Sequence, residues 1–147
     1  MDNLDAVNFR VPGEPQGKGR PRIGKVGQHS RMFTPQKTVA YEGLIAMLAQ
    51  NAMQGREVIT RPVMLEMLME HPIRPSWSKK KQAQALAGEI LPTVKCDADN
   101  CIKAVCDALN GVVWRDDVQV VKLFLTKKFS AVPGLTVRVV PLEKLAA

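Results

Sequence analysis

Apolar and polar residues alternate along this chain with two periods, and each period predicts one kind of element. A 3.6-residue period predicts helices from Thr38 to about Gly55 and from Asp99 or Asn100 to Asn110. Ser76 is a plausible N-cap for a further helix that runs from Trp77 to about Ala87. A two-residue period predicts strands at 7–11, 62–70, 118–129 and 135–140, the last two joined as a hairpin.

Strands separated by helices, then two strands in succession, predict an α+β fold with a mixed sheet of about four or more strands flanked by helices. The 147 residues, of which 46% are hydrophobic, suit a single domain that spans 1–147. No apolar run is long enough to span a membrane, and the acidic N-terminus does not resemble a secretory signal. We therefore expect no membrane association.

The three cysteines lie five residues apart, at Cys96, Cys101 and Cys106. This spacing matches neither a disulfide framework nor a zinc-binding pattern, so we expect unpaired thiols and a cytoplasmic protein. Cys106 falls on the apolar stripe of its predicted helix. It is either a small core residue or a metal ligand, and the core position is the simpler interpretation.

The charge of the chain favours a polyanionic partner, because 21 Lys and Arg against 14 Asp and Glu leave a formal net charge of +7. Segment 13–37 is a basic, glycine-rich stretch that we expect to be a flexible loop. It either orders on DNA phosphates, through Lys18, Arg20 and Arg22, or is simply solvated. Lys79, Lys80 and Lys81 likewise form either a second phosphate contact or a solvated helix face.

Acidic residues concentrate in one window of this basic chain, from Asp97 to Asp117, which carries five aspartates against Lys103 and Arg115. Mg²⁺ prefers such hard oxygen ligands and keeps waters for the phosphates of a substrate. Asp97 and Asp99 flank the predicted start of a helix, and Asp117 precedes a strand. A helix start and a strand start can bring three carboxylates together.

Several of these acidic residues also have a purely structural interpretation, which competes with metal binding. Asp99 can serve only as an N-cap, and Asp116-Asp117 only as turn residues. We interpret Asp107 as an i+4 partner of Lys103. Glu66 and Glu70 are either further metal ligands or, as we expect, solvent-facing strand residues.

The order of motifs D-A-D-N, Lys103, D-A-L-N-G, a Trp and D-D-x-Q-V-V resembles the RusA family of Holliday junction resolvases. R-P-R with F-T-P-x-K-T, and P-S-W-S-K-K-K, extend the resemblance over most of the chain. It implies catalytic, metal-binding roles for Asp97, Asp99 and Asp117, and an essential role for Lys103. Cys96 stands where several relatives carry a basic residue, so Lys95 is the substitute phosphate contact.

The resemblance also implies an activity: Mg²⁺-dependent paired nicks in opposed strands of four-way DNA, in recombination and repair, with Mn²⁺ as a substitute ion. Two opposed cuts suggest a homodimer, and Leu135 to Val140 or the methionine-bearing strand 62–70 could form its interface. Two alternatives remain open. One is a non-catalytic DNA-binding accessory protein, and the other is a metal nuclease that prefers other branched DNA.

Overall fold

The computed structural model describes residues 5–19, 22–27, 29–33 and 36–145. Its strands are β1 (Val7–Pro12), β2 (Arg22–Val26), β3 (His29–Phe33), β4 (Val63–Pro72), β5 (Val120–Ser130) and β6 (Gly134–Pro141). Its helices are α1 (Gln36–Met53), α2 (Lys79–Leu86) and α3 (Ala98–Leu109). One turn of 3₁₀ helix, Asp117–Gln119, leads directly into β5.

The main sheet is mixed and has the strand order β1-β6-β4-β5. β6 is antiparallel to both β1 and β4, whereas β5 runs parallel to β4. Helices α1 and α3 pack against each other, and α1 also packs on β1. The predicted α+β fold with a mixed, helix-flanked sheet is therefore confirmed.

The predicted hairpin between the last two strands is wrong, because β4 lies between β5 and β6. The connection consists of residues 131–133. Three extended residues reach about 10 Å, which matches strands two positions apart at about 4.8 Å per step. A short connection therefore does not distinguish a hairpin from a link that passes over the end of one intervening strand.

The core lies between one sheet face and the helices. Alternate residues of β4, from Val63 to Met69, are buried on this face. They meet Ile45 of α1 and Val105 and Leu109 of α3 in one apolar cluster. This alternation follows from the two-residue period of the sequence, since successive strand side chains point to opposite faces.

Charged residues on the opposite face of the sheet form ion pairs between strands, one between the neighbours β4 and β6 and one between β4 and β1 across β6. Glu66 is exposed, as expected, and lies 3.9 Å from Arg138. Glu70 departs from the expectation of a solvent-facing residue, because its side chain is only 14% exposed and pairs with Arg10 at 2.7 Å. Burial opposes ionisation of Glu70, but hydrogen bonds from Arg10 and Ser130 hold its pKa below the usual value. Both glutamates are explained by strand pairing.

Several local expectations need correction. The basic segment is not irregular throughout, because β2 and β3 pair as a small antiparallel sheet within it. Helix α2 begins at Lys79 with Ser78 as its N-cap, rather than after Ser76. The two strands suggested as dimer interfaces, β4 and β6, are both interior, so they have no free edge, and of the two suggested modes only pairing through a face stays a prediction. Within the described ranges, no helix is long and apolar enough to cross a membrane.

Candidate active site

Two of the predicted aspartates lie at the start of α3. The helix begins at Ala98, so the N-cap is Asp97 rather than Asp99 or Asn100. Asp97 has an extended backbone, and its carboxylate makes no capping hydrogen bond. Asn100 Nδ2 lies 3.4 Å from Asp97 Oδ2. Asp99 is exposed in the first turn, where the helix dipole favours a negative charge. Asp99 is therefore not a cap, and both carboxylates face solvent.

The third aspartate, Asp117, begins the 3₁₀ turn and is half-buried. Asp116 does the capping, since its Oδ1 accepts a hydrogen bond from Asp117 N at 2.9 Å. Gln119 completes a capping box: its Oε1 accepts from the amides of Arg115 and Asp116, both at 2.9 Å. The local structure thus occupies the Asp116 carboxylate and leaves that of Asp117 available for chemistry.

Cys106 of α3 is influenced by burial and by two nearby aspartates. Burial raises the pKa of the Cys106 thiol to about 12, and the charges of Asp117 and Asp107 contribute to the rise. The 3₁₀ turn that carries Asp117 also contacts α3 directly. Cys106 itself is a buried core residue, in agreement with the simpler interpretation of the sequence.

The three predicted metal ligands do not form a preassembled cluster. Among the described residues, no three His, Cys, Asp or Glu side chains are grouped closely enough to hold an ion. The donors nevertheless suit Mg²⁺, which is usually bound by one or two carboxylates together with waters and substrate phosphates. Asp97, Asp99 and Asp117 offer only hard oxygen atoms, and none of the three is fully buried. The residues therefore fit a magnesium ion whose coordination is completed by the substrate.

Lys103 lies one turn after Asp99 and is exposed. The expected pair between Lys103 and Asp107 is wrong, because Asp107 instead pairs with Lys18. Glu42 of α1 lies 3.3 Å from the same ammonium. The hydrogen bond with Asp107, ahead of that with Glu42, raises the pKa of Lys18. Lys103 is left without a carboxylate partner in the described part of the chain, so its charge faces the solvent beside Asp99.

The predicted DNA contacts fall into different environments. Lys18 joins α1 to α3 and is therefore not the freely exposed cation that was expected. Arg20 lies outside the described residues, and the side chain of Arg22, in β2, is also outside them. Lys79, Lys80 and Lys81 are exposed on the first turns of α2. Lys81 lies 4.3 Å from the centre of the Trp77 ring, and Lys95 is exposed beside Asp97.

A cleft of about 480 Å³ lies between Asp97 and the basic part of the chain. Segment 14–19, Lys37, Lys95 and Asp97 line it, together with Cys96 and Asn100. Segment 14–19 is held against α3 by a 2.9 Å hydrogen bond from Lys18 N to Asn100 O. Gly17 permits this approach, because a Cβ there would lie 2.9 Å from Cys96 Cβ and 3.0 Å from Asn100 Cβ.

Two features of the site were not predicted from the sequence. Cys96 and Cys101 form a disulfide next to Asp97, which corrects the expectation of unpaired thiols. Lys127 of β5 donates hydrogen bonds to the carbonyl oxygens of Val94 and Cys96. Alternation could have revealed Lys127, because it falls on the same strand face as Leu125 and the buried Phe129. A lysine at an inward strand position needs a partner.

Aspartates at the start of a helix, beside a cleft lined by lysines, suit a protein that acts on phosphodiesters. The family model described as Endodeoxyribonuclease RusA matches residues 12–140, and the chain belongs to this family. It is thus a Holliday junction resolvase nuclease whose substrate is branched DNA, in a family that generally depends on divalent metal. The curated Uncharacterized protein YqaN of Bacillus subtilis (strain 168) is 36% identical over 138 residues, which cover 92% of this chain and 96% of the relative.

Proposed function

We propose that this chain resolves four-way DNA junctions by Mg²⁺-dependent nicks in two opposed strands, in recombination and repair, and that Mn²⁺ can replace Mg²⁺. The observation that carries the proposal is that the side chain of only one of the four aspartates near the site is used to cap a helix. Asp116 is occupied by capping, whereas the carboxylates of Asp97, Asp99 and Asp117 make no capping hydrogen bond, and Asp97 lines a cleft together with lysines. Residues needed only for folding would be engaged in hydrogen bonds.

In this proposal Asp97, Asp99 and Asp117 would hold the ion, which would supply activation of a water and stabilisation of the charge on the attacked phosphate. Lys103, exposed one turn from Asp99, neutralises a nonbridging phosphate oxygen or orients the attacking water. Lys37 and Lys95 line the cleft and hold the flanking phosphates. Lys79 and Lys80 extend this contact along α2, and Arg20 and Arg22 add to it from the basic segment.

We also propose that the working unit is a homodimer. One chain has one set of free aspartates, whereas resolution requires two cuts in opposed strands. Two-fold pairing supplies both and fits the symmetry of a four-way junction. The edge strand β5 supports such a contact, because Val121, Leu123 and Phe124 are all more than 40% exposed along it.

The test of the activity uses a synthetic immobile four-way junction. Asp97→Asn, Asp99→Asn and Asp117→Asn should each abolish cutting and leave binding unchanged or tighter, because a negative charge near the phosphates is removed. Ca²⁺ should support binding with little cutting. Asp107→Asn is the matched control, since Asp107 pairs with Lys18 instead of facing the cleft.

Three outcomes decide between the proposal and its alternatives. Cutting at near-normal rates by all three variants, or in excess chelator, would exclude the metal mechanism. Binding without any divalent-dependent nick would favour an accessory DNA-binding protein. Faster cutting of flaps than of junctions, in a panel of branched substrates, would reassign the substrate.

The dimer has a separate test. Light scattering should give about twice the mass of one chain. Mixing wild-type chains with Asp99→Asn chains should yield heterodimers that nick one strand and fail to resolve the junction. A monomer that makes both cuts equally well would rule the dimer out.

A further inference from the structure

The segment that leads to Asp97 has little support of its own. Residues 90–96 connect α2 to α3 without regular structure. In this fully described stretch, no residue makes a backbone-to-backbone hydrogen bond. The position of the chain that enters Asp97 therefore depends on side-chain contacts, since loops without such bonds open readily.

One of those contacts is the ammonium group of Lys127. Its Nζ donates to Val94 O at 2.7 Å and to Cys96 O at 3.2 Å, so it holds the carbonyls on both sides of Lys95. Two of the three ammonium donors are thereby satisfied by this segment. No carboxylate pairs with Lys127 in the part of the chain that the structure describes. Such charge-assisted bonds are stronger than neutral ones.

The backbone of Lys127 is fixed by the main sheet. Lys127 lies in the middle of β5, opposite Met69 in the parallel ladder with β4. The same strand follows the 3₁₀ turn that carries Asp117. Strand β5 thus connects the turn that carries Asp117 to Lys127. The ammonium group of Lys127 in turn holds Cys96, the residue before Asp97.

We propose that Lys127 is a positioning residue for catalysis: it fixes Asp97 relative to Asp117 by holding the carbonyl groups of Val94 and Cys96. This inference rests on the proposed function, because it assigns Asp97 and Asp117 to one site. Lys127 acts through the segment and not on DNA, since its ammonium is directed at two protein carbonyls. A misplacement of about 1 Å can cost a factor of about 100 in rate, so such an anchor matters for cutting.

The test compares three substitutions in β5. Lys127→Met keeps the aliphatic stem and removes the donors, whereas Lys127→Arg keeps a cation that can reach the carbonyls. Lys128→Met is the matched control, because Lys128 is exposed on the opposite face of the same strand. If Lys127→Met fails to fold, Lys127→Gln replaces it, because it removes the charge and shortens the side chain so that the two charge-assisted bonds are lost.

We expect Lys127→Met to bind the junction normally and to cut it about 10–100-fold more slowly at fixed Mg²⁺, with partial recovery at higher Mg²⁺. Lys127→Arg should recover much of the rate, and Lys128→Met should equal wild type. The second readout is hydrogen exchange at the Cys101 amide, whose 3.1 Å bond to Asp97 O closes the first turn of α3. It should speed up in Lys127→Met alone.

Unchanged cutting and unchanged Cys101 exchange in Lys127→Met would overturn the proposal. Equal losses of rate in Lys127→Met and Lys128→Met would also overturn it, because they would indicate a general effect of charge. If wild type does not cut junctions, the proposed function fails. Exchange at Cys101 then decides by itself whether Lys127 holds the segment.

Discussion

The two segments that carry the predicted aspartates are held in different ways. The 3₁₀ arm, residues 114–119, is fixed by its own side chains: Trp114 is fully buried, and Gln119 bonds to four backbone groups. The anchored segment, residues 90–96, makes no backbone-to-backbone hydrogen bond with the described residues and is held by Lys127, Gly17 and a disulfide at Cys96. Asp117 thus sits on a turn whose own Gln119 bonds it to Ile59 and Arg61, whereas the segment before Asp97 is held by side chains of other elements.

The contrast predicts how substitutions in each segment affect stability and catalysis. Damage to the 3₁₀ arm should reduce both the stability and the chemistry of the protein, because the arm also joins α3 to the start of β4. Gln119 Nε2 donates to Ile59 O and Arg61 O, both at 2.9 Å. Damage to the anchored segment should affect chemistry more than stability, since few core contacts depend on it.

The largest effect is expected for Gln119→Leu. This change removes four hydrogen bonds at about 0.5–1 kcal/mol each, so the free energy of unfolding should fall by about 2–4 kcal/mol, and cutting should slow because Asp117 is no longer held. Urea unfolding and single-turnover cutting measure the two effects. Gln82→Leu is the control, since it removes a single bond, to Trp77 O. Equal destabilisation by both changes would refute the special role of the arm.

A smaller effect is expected for Gly17→Ala, which tests the contact between segment 14–19 and the anchored segment. The new Cβ would lie 2.9 Å from Cys96 Cβ. Overpacking should cost about 1–3 kcal/mol, or push segment 14–19 away and slow cutting. Gly43→Ala is the matched control, because a Cβ there meets nothing within 4 Å and the helix α1 gains about 0.5–1 kcal/mol. Thermal unfolding of both variants checks this, and similar shifts would contradict the close contact.

A still smaller effect is expected for Lys18→Met, which removes the cation between Glu42 and Asp107 and should cost about 0.5–1 kcal/mol. The pKa of Lys18 is raised above its ordinary value of 10.5, so this contribution is full below that pH and is lost as pH rises through the higher folded value. Unfolding measured at pH 8 and at pH 11 should therefore show a smaller difference between variant and wild type at the higher pH.

Lys37→Met provides the reciprocal control, because Lys37 lines the cleft on the exposed start of α1. It should weaken junction binding with little change in stability. Lys18→Met should do the opposite and leave the salt dependence of binding unchanged. A weaker dependence of junction affinity on salt in Lys18→Met would indicate that Lys18 contacts DNA.

The smallest effect on stability is expected when Lys79 and Lys80 are both changed to Met, since both are exposed on α2 and belong to neither segment. Binding should weaken for junctions of any sequence, and the slope of affinity against salt should fall by about one for each phosphate that is no longer neutralised. Lys144→Met is the exposed control. Identical slopes in the double variant and wild type would leave α2 as a solvated face.

Local patterns in the sequence were sufficient to predict the α+β class, the helices and strands of the main sheet, and the family. Every second residue of β4 from Val63 to Met69 is buried on one face, and the apolar residues of α3 recur every three or four positions. The aspartates at the start of α3 and before β5 could be predicted for the same reason, because each lies in a short local motif.

The pairing of elements and of charges, in contrast, is set by the assembled fold. β4 lies between β5 and β6, Asp107 pairs with Lys18 rather than Lys103, and Lys127 holds Val94 and Cys96. These contacts join residues up to 89 positions apart. Periodicity reports only which face a residue occupies, and many strand orders bury the same faces. The partner of each inward or charged residue is therefore fixed by how the sheet and helices assemble.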